Sequence, residues 1–591
     1  MNIKRYFYIT LTILLNLITP KYALAQTAPG QDLQRQIEPP PTPTPNIPKL
    51  PSPQELFQFP SITTPTPPTP QVIPNDISGT IKVTNFEIEG STVFNKQQLN
   101  DATKDLINRP ISFTELLQAA DRITSLYTKG CNDNNSKEAC YINSGAYIPA
   151  DQTFKVDGGV VKIRVIEGSL ENIDVKGTQR LHSDYVRSRL ALGADKPLNL
   201  KKLLEALQLL QLDPLINNVK AELATGITPG GSILAVQVRE AKTFSVQLNL
   251  NNNRQPSIGS FERQIQFNQA NLLGLGDGLS VAYANTDGSN SVYASYQIPL
   301  NPQNGTLTFN YNYASSEIIE KPFDIFGIEG TSQEYGITYR QPLIRTPTKE
   351  FALSLSATRR ESDIGYLEAL LGQRFPFPSP GADENGQTRA TILRFAQDWT
   401  QRGSSSVFAA RSQLSLGIDA FDATTNTTGP DGEFFAWRGQ AQWVKLLAPD
   451  TLFIARTDLQ LADRPLLPSE QIGLGGQATV RGYRQDRTLS DNGFLASAEL
   501  RYPVLRVPEI QGLLQVTPFI DFGTAWNTSN AGRGALNPDT LASVGLGLLW
   551  QQNNRLTARF DWGIPLGNVS GDKNSWQENG LYFSIIYNQP F

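Results

Sequence analysis

Leu581-Tyr582-Phe583-Ser584-Ile585-Ile586-Tyr587-Asn588-Gln589-Pro590-Phe591 is the stretch on which the fold turns. Leu581, Phe583, Ile585, Tyr587 and Phe591 recur at every second or fourth position, the period of a strand with one apolar face. The same pattern runs upstream in segments of about ten residues. Phe244 to Asn251, Leu279 to Asn285, Val292 to Ile298, Thr306 to Tyr313, Tyr335 to Gln341 and Phe351 to Ala357 alternate apolar or aromatic with polar or small residues. Leu414 to Asp419, Leu452 to Leu459, Leu495 to Tyr502, Val516 to Phe522, Val544 to Trp550 and Leu556 to Trp562 continue it, separated by Gly, Asn, Asp and Pro turns. No amphipathic helix of comparable length interrupts residues 242–591. Backbone amides inside a bilayer must pair within the protein, so strands cross only as a closed sheet. The pattern predicts a transmembrane β-barrel of about 16 antiparallel strands, an even number being expected for this class.

The amino-terminal side agrees with an envelope destination. Lys4 and Arg5 precede an apolar run from Tyr6 to Ile18, and Ala23-Leu24-Ala25 has the small residues of a signal-peptidase site, so residues 1–25 are expected to be a signal peptide cleaved after Ala25. Residues 39–78 read as a linker, with 14 prolines between Pro39 and Pro74 fixing φ and removing amide donors. Between these, Gln31 to Glu38 could form one or two helical turns.

Residues 79–241 change character again. Ile81, Val83, Phe86 and Ile88 mark a strand; Gln97 to Leu106 and Phe113 to Tyr127 have helical apolar spacing; Tyr141 to Ile148 and Val160 to Ile166 supply two more strands. The order repeats with Leu170 to Val175, helices from Leu181 to Leu192 and Leu200 to Leu212, then Ile216 to Leu223 and Ile233 to Val238. Two small α/β units, 79–168 and 169–241, are therefore expected. Cys131 and Cys140, the two cysteines of an exported chain, favour a local disulfide in the first unit over a metal site or a redox pair.

Composition narrows function. One His, at 182 near a helix start, one Met and two Cys leave no material for a histidine-centred triad or a histidine metal site, so an enzyme, a cofactor and a metal are all disfavoured. A net charge of -4 supplies no basic field for nucleic acid. No G-x-x-x-x-G-K-[ST] segment is present to hold a nucleotide.

Two spots break the strand alternation. Gly473 to Arg484, within a connection of about 30 residues, is rich in glycine and holds Arg481. Phe519-Ile520-Asp521-Phe522-Gly523 places Phe519 and Asp521 on one strand face. An arginine in a folded loop and an aspartate on a lumen wall suit a charge-assisted, bidentate pair.

Val480-Arg481-Gly482-Tyr483 resembles the signature at the tip of the long sixth extracellular loop in the outer-membrane superfamily that includes BamA and the two-partner-secretion transporters. Phe519, Asp521 and Gly523 match its F-x-D-x-G strand motif. The resemblance implies that the loop folds back into the lumen and that Arg481 contacts Asp521, with Gly482, Tyr483 and Phe519 in support. It also identifies the α/β units as polypeptide-transport-associated (POTRA) domains. Ser144-Gly145-Ala146-Tyr147 with Val165-Ile166-Glu167-Gly168 is similar to the type in haemolysin secretion/activation proteins. Phe591 resembles the terminal signal read by the barrel assembly machinery, and Gln31 to Glu38 the plug helix of the secretion transporters.

Two POTRA domains before a 16-stranded barrel imply a pore in the outer membrane, its POTRA domains in the periplasm, that passes an unfolded partner exoprotein without ATP. A monomer is the default. The alternative is a BamA-like insertase. A porin leaves residues 79–241 unexplained, and a siderophore receptor requires a plug domain and usually more strands.

Overall fold

The structure, a computed structural model, describes residues 33, 57–58, 80–131, 140–152, 158–427, 429–528, 536, 538–567 and 573–591. The expected signal peptide lies outside the described residues, as do the linker except Phe57 and Gln58 and the 31–38 segment except Leu33. The chain divides into two compact units, 49–241 and 242–591, the second taking in residues 1–48.

The first unit holds two α/β folds. In the first, β1 (Thr80–Glu89) is followed by α1 (Lys96–Thr103), β2 (Pro110–Ser112), α2 (Phe113–Thr128), β3 (Gly145–Tyr147) and β4 (Gly159–Ile166). The sheet order is β2-β1-β4-β3. β2 went unread in the sequence, and the strand expected over 141–148 contracts to three residues. Both helices start where the side chains dictate. Asn95 with Gln98, and Ser112 with Glu115, form reciprocal capping boxes that satisfy amides the helix leaves unpaired. Val83, Phe86, Leu116, Ala119, Val161 and Ile163 fill the core between sheet and helices. Cys131 and Cys140 are joined as a disulfide.

The motifs at the end of this fold meet one another. Gly168 N donates to Ser144 Oγ at 2.9 Å, and Glu167 accepts from Thr92 N, Thr92 Oγ1 and the Tyr127 hydroxyl. Burial, with Glu167 alongside, pushes the Tyr127 phenol well above its ordinary pKa and keeps it a donor.

The second fold runs β5 (Ser169–Lys176), α3 (Ser183–Ala191), α4 (Leu200–Gln211), β6 (Ile216–Thr225) and β7 (Gly231–Glu240). β7 lies between β5 and β6, and the backbone of Phe57–Gln58 pairs parallel with β6. Val186, Leu190, Leu203, Leu207, Val219, Leu234 and Val236 make its core. Exposed His182 stands at the α3 N-cap position with no side-chain cap bond.

The second unit is the barrel. Its strands are β8 (Phe244–Asn251), β9 (Glu262–Gln269), β10 (Gly278–Asn285), β11 (Ser289–Pro299), β12 (Thr306–Glu317), β13 (Glu329–Arg345), β14 (Lys349–Tyr366) and β15 (Gln387–Arg402). They continue as β16 (Ser406–Ile418), β17 (Phe434–Ala448), β18 (Thr451–Ala462), β19 (Asn492–Val507), β20 (Gly512–Trp526), β21 (Thr540–Gln552), β22 (Leu556–Pro565) and β23 (Leu581–Pro590). Each pairs antiparallel with the next, and β23 returns to β8 over Ser584–Pro590 against Asn251–Ser245, closing 16 strands. A two-residue strand, Phe375–Pro376, adds a tab to β14. At the seam Phe591 N donates to Phe244 O at 2.9 Å and the two rings pack.

The faces separate by chemistry. On β22, Phe560, Trp562 and Ile564 are exposed outward while Asp561 between them is fully buried inward. Leu248 and Leu250, Ile520 and Phe522, and Leu546 and Leu548 repeat the outward apolar pairing. Large apolar side chains exposed at every second position of a strand, with ion pairs inside, invert a soluble core and describe a sheet solvated by lipid. Among the described residues no helix is long and apolar enough to cross a membrane; the strands do so.

The turns at the end where the chain enters β8 are short, as at Pro449–Asp450 between β17 and β18. The opposite end carries the long connections, and the longest, residues 463–491, is the sixth of these.

Candidate functional site: a loop finger locked to the lumen wall

The 463–491 connection is a folded finger. Ile472–Leu474 pairs antiparallel with Thr488–Ser490, and the tip between them packs against the inward faces of β19 to β23. At its root, Glu470 accepts both oxygens' worth of contacts from Arg394 Nη2, at 2.9 and 2.8 Å, and Arg360 Nη1 donates to Ser469 O at 2.9 Å. Asp491 takes amide hydrogens from Leu466 N and Gln471 Nε2.

The tip and wall motifs mesh residue by residue. Val480 is fully buried with Leu474, Tyr483, Leu495 and Leu541, and its methyl lies where a Cβ on Gly523 would come within 3.0 Å. Among the described residues Arg481 is the largest fully buried side chain. Its Nε and Nη2 donate to Asp521 Oδ2 and Oδ1 at 2.7 and 2.9 Å, and its backbone N donates to Oδ2 at 3.1 Å. The guanidinium lies over the Phe519 ring, 3.3 Å from its centroid. Gly482 turns with φ +100°, a conformation that suits glycine, and meets the wall at Gly563. Its N donates to the Tyr582 hydroxyl at 2.9 Å, and that hydroxyl donates to Tyr483 O. The Tyr483 hydroxyl donates to Ala542 O at 2.9 Å.

The register explains why this wall accepts the tip. Pairing sets Ser497 beside Asp521 and Glu499 beside Phe519, and places Gly547 against Asp561. Arg481 Nη1 thereby reaches Glu499 Oε2 at 2.7 Å, while Ser497 Oγ donates to Asp521 Oδ1 at 2.6 Å. Arg559 bridges Glu499 and Asp561, and Arg501 Nε donates to Glu499 Oε1 at 2.9 Å. Arg481, Arg501 and Arg559 thus pair with Glu499, Asp521 and Asp561, and Arg456 lies in the field of the same cluster, so each buried charge has an opposite partner. Removing one partner of such a buried pair typically costs about 3–5 kcal/mol, because the other charge is left behind.

The structure therefore gathers Val480, Arg481, Gly482, Tyr483, Phe519, Asp521 and Gly523 at one place. Cys131 and Cys140 belong to the other unit, and Phe591 to the barrel seam. Sequence reasoning missed Glu499, Arg559, Asp561, Tyr582 and Gly563. The signal was present: Glu499 and Arg501, like Arg559 and Asp561, are charges two apart in strands whose alternate residues are apolar.

A closed 16-stranded barrel with a lipid-facing belt, a loop finger docked on its inner wall and two small α/β folds ahead of it in sequence defines an outer-membrane barrel protein of the kind preceded by POTRA domains. Comparison with known proteins carries this further. The haemolysin secretion/activation protein family ShlB/FhaC/HecB matches residues 230–549, more than half of the chain, and the ShlB-type POTRA domain matches residues 81–168. The outer membrane transporter CdiB of Dickeya dadantii is 22% identical over 454 residues, 74% of this chain and 75% of that protein. The heme/hemopexin transporter protein HuxB of Haemophilus influenzae is 23% identical over 498 residues, 83% of each chain. The solved structure of CdiB from Escherichia coli superposes with a TM-score of 0.64 at 19% identity, covering 89% of this chain and 94% of that one, and so shares the fold. The chain belongs to the haemolysin secretion/activation protein family ShlB/FhaC/HecB. It is an outer-membrane transporter of the two-partner-secretion type, with its POTRA domains in the periplasm.

Proposed function

We propose that the chain passes one or a few dedicated exoproteins, unfolded, from the periplasm through its barrel, with no covalent chemistry, nucleotide, cofactor or metal. Residues 79–168 and 169–241 serve as the two receiving domains, 242–591 as the pore, 1–25 as the export signal, 39–78 as linker and 31–38 as a plug segment. Support for the plug comes from Leu33, which is helical and buried against Ile258, Ile318, Ile328 and Ile364 at the long-loop end of the barrel. Arg481 and Asp521 hold the finger in its resting place, and Phe591 is the residue read by the barrel assembly machinery. The Cys131–Cys140 disulfide staples the first domain. One barrel encloses one pathway, so a monomer in outer-membrane lipid suffices.

The observation that carries this reading is the finger itself. The finger fills the lumen beside β19 to β23, held by ion pairs, hydrogen bonds and a small apolar cluster around Val480, so a polypeptide can pass only where the finger gives way. Receipt of the exoprotein is assigned to strand addition. Among the described residues no further strand pairs with β5, which ends its sheet, although Arg187 Nε donates to Ile173 O at 3.2 Å; an extended segment can join such an edge through main-chain bonds. A photo-crosslinker at Asn172 on β5 should capture the amino-terminal part of a secreted exoprotein during export. Capture of nascent outer-membrane barrels alone would instead support an insertase.

A further inference from the structure

Past Tyr483 the finger makes a second set of contacts, to the rim and not to the wall. Arg484 is 6% exposed. Its Nη1 and Nη2 donate to Glu320 Oε1 and Oε2, both at 3.0 Å, in the connection between β12 and β13. Nη1 also donates to Glu578 Oε1 at 3.1 Å, in the connection between β22 and β23. The residues beside it extend the join. Gln485 N donates to Gln577 Oε1 at 2.8 Å, and Asp486 Oδ2 accepts from Gln255 Nε2 at 2.9 Å, in the connection between β8 and β9. Gln577 Nε2 in turn donates to Arg254 O at 2.7 Å and to Asn252 O. Three rim connections thus converge on residues 484–486 of a fourth, at the barrel end where the long loops lie.

We propose that Arg484 is the latch of the outer mouth: gripped by Glu320 and Glu578, it ties the finger to two rim loops and keeps the exit shut until the finger moves. The inference rests on the polypeptide-pore reading. It differs from the Arg481 contact in what is held. Arg481 fixes the tip to strands that are already joined by their ladder, whereas Arg484 ties the finger to rim loops that lie off the ladder and otherwise meet through the connection between β8 and β9, where Ile319 N donates to Ser257 O at 2.9 Å and Gln577 Nε2 to Arg254 O. A single guanidinium facing two carboxylates is attractive to both; once it is gone, the carboxylates have lost their shared cation and repel. Loss of Arg484 should therefore open the mouth more than neutralising the two acids does.

The test is ion conduction in planar bilayers, without cargo, by the purified chain with residues 31–38 deleted in the reference and in every variant, so that the proposed plug does not itself hold the lumen closed. Arg484→Ala should raise the fraction of time spent open about tenfold, the factor that ~1.4 kcal/mol carries. Glu320→Gln with Glu578→Gln should give a smaller rise in the same direction, and Arg484→Lys, which keeps charge but not the fork, should fall between wild type and Arg484→Ala. Wild-type closure in Arg484→Ala, with the folded barrel's normal shift in electrophoretic mobility on heating, would overturn the latch. If Arg484→Ala fails to fold, the double glutamine chain decides, and an unchanged open fraction there overturns it equally. A chain lacking residues 475–487 separates this from the underlying reading. Silence from that chain defeats the pore itself, while conduction there beside a closed Arg484→Ala defeats only the latch.

Discussion

Gly563→Ala adds one methyl group to the barrel wall and should release the finger without touching any charge. A Cβ at Gly563 would stand 2.5 Å from Gly482 N, 2.7 Å from Arg481 C and 2.9 Å from Gly482 Cα. Carbon contacts settle near 3.5 Å or beyond, so the tip must withdraw by about 1 Å. The Gly482 N to Tyr582 hydroxyl bond of 2.9 Å and the Arg481 N to Asp521 bond of 3.1 Å are then stretched past useful length. Each buried amide left without a partner costs about 1–3 kcal/mol, so the docked tip should lose about 2–6 kcal/mol relative to a released one. That is a factor of about 30 to tens of thousands in the docked-to-released ratio. Trypsin on intact cells reads it, because Arg481 is fully buried and Arg484 and Arg487 nearly so when the tip is docked. Cleavage between residues 475 and 490 should rise at least about tenfold while the heat-dependent mobility of the barrel is unchanged. Wild-type resistance to trypsin in a folded Gly563→Ala chain would refute the reasoning.

Other substitutions probe the remaining parts. Arg481→Ala should leave the barrel inserted at normal level yet cut secretion severalfold or more, since Asp521 and Glu499 lose a shared cation at a cost of about 3–5 kcal/mol to docking; unchanged export at equal protein level would count against the role. Tyr582→Phe removes the hydroxyl that joins Gly482 N to Tyr483 O, and should weaken docking by about 1–2 kcal/mol, seen as intermediate trypsin sensitivity. Changing Cys131 and Cys140 together to Ser should lower the stability of the first α/β fold by about 2–3 kcal/mol, measured by urea-dependent proteolysis, with little effect on export.

Much of this architecture is legible in the chain because a lipid-facing barrel obeys a simple period. Alternation in segments such as Leu556 to Trp562 gives strand identity, and the spacing of such segments along residues 242–591, about 22 residues for a strand and its connection, puts the count near 16, even as the class requires. The helices Phe113–Thr128 and Leu200–Gln211 are equally plain from their apolar spacing. Cross-strand register is not plain. Nothing local to Glu499 says that it sits beside Phe519, or that Gly547 faces Asp561, because register is set by the closing of the whole sheet. For that reason the sequence exposes the Arg481–Asp521 pair through its motifs but hides the arginine–carboxylate network around it. The β2 strand was missed because three residues between two helices carry no period at all. Strands such as Lys349–Tyr366 outrun the ten-residue segments expected, since their ends rise beyond the lipid belt, where alternation is no longer required.

Dedicated secretion is tested by quantitative proteomics of culture supernatant, cell surface and outer membrane from a strain lacking the gene and from its complemented control. One or a few large exoproteins should disappear from supernatant and surface and return on complementation, with resident outer-membrane barrels unchanged. A broad fall in resident barrels, with secreted proteins following only in proportion, would contradict it.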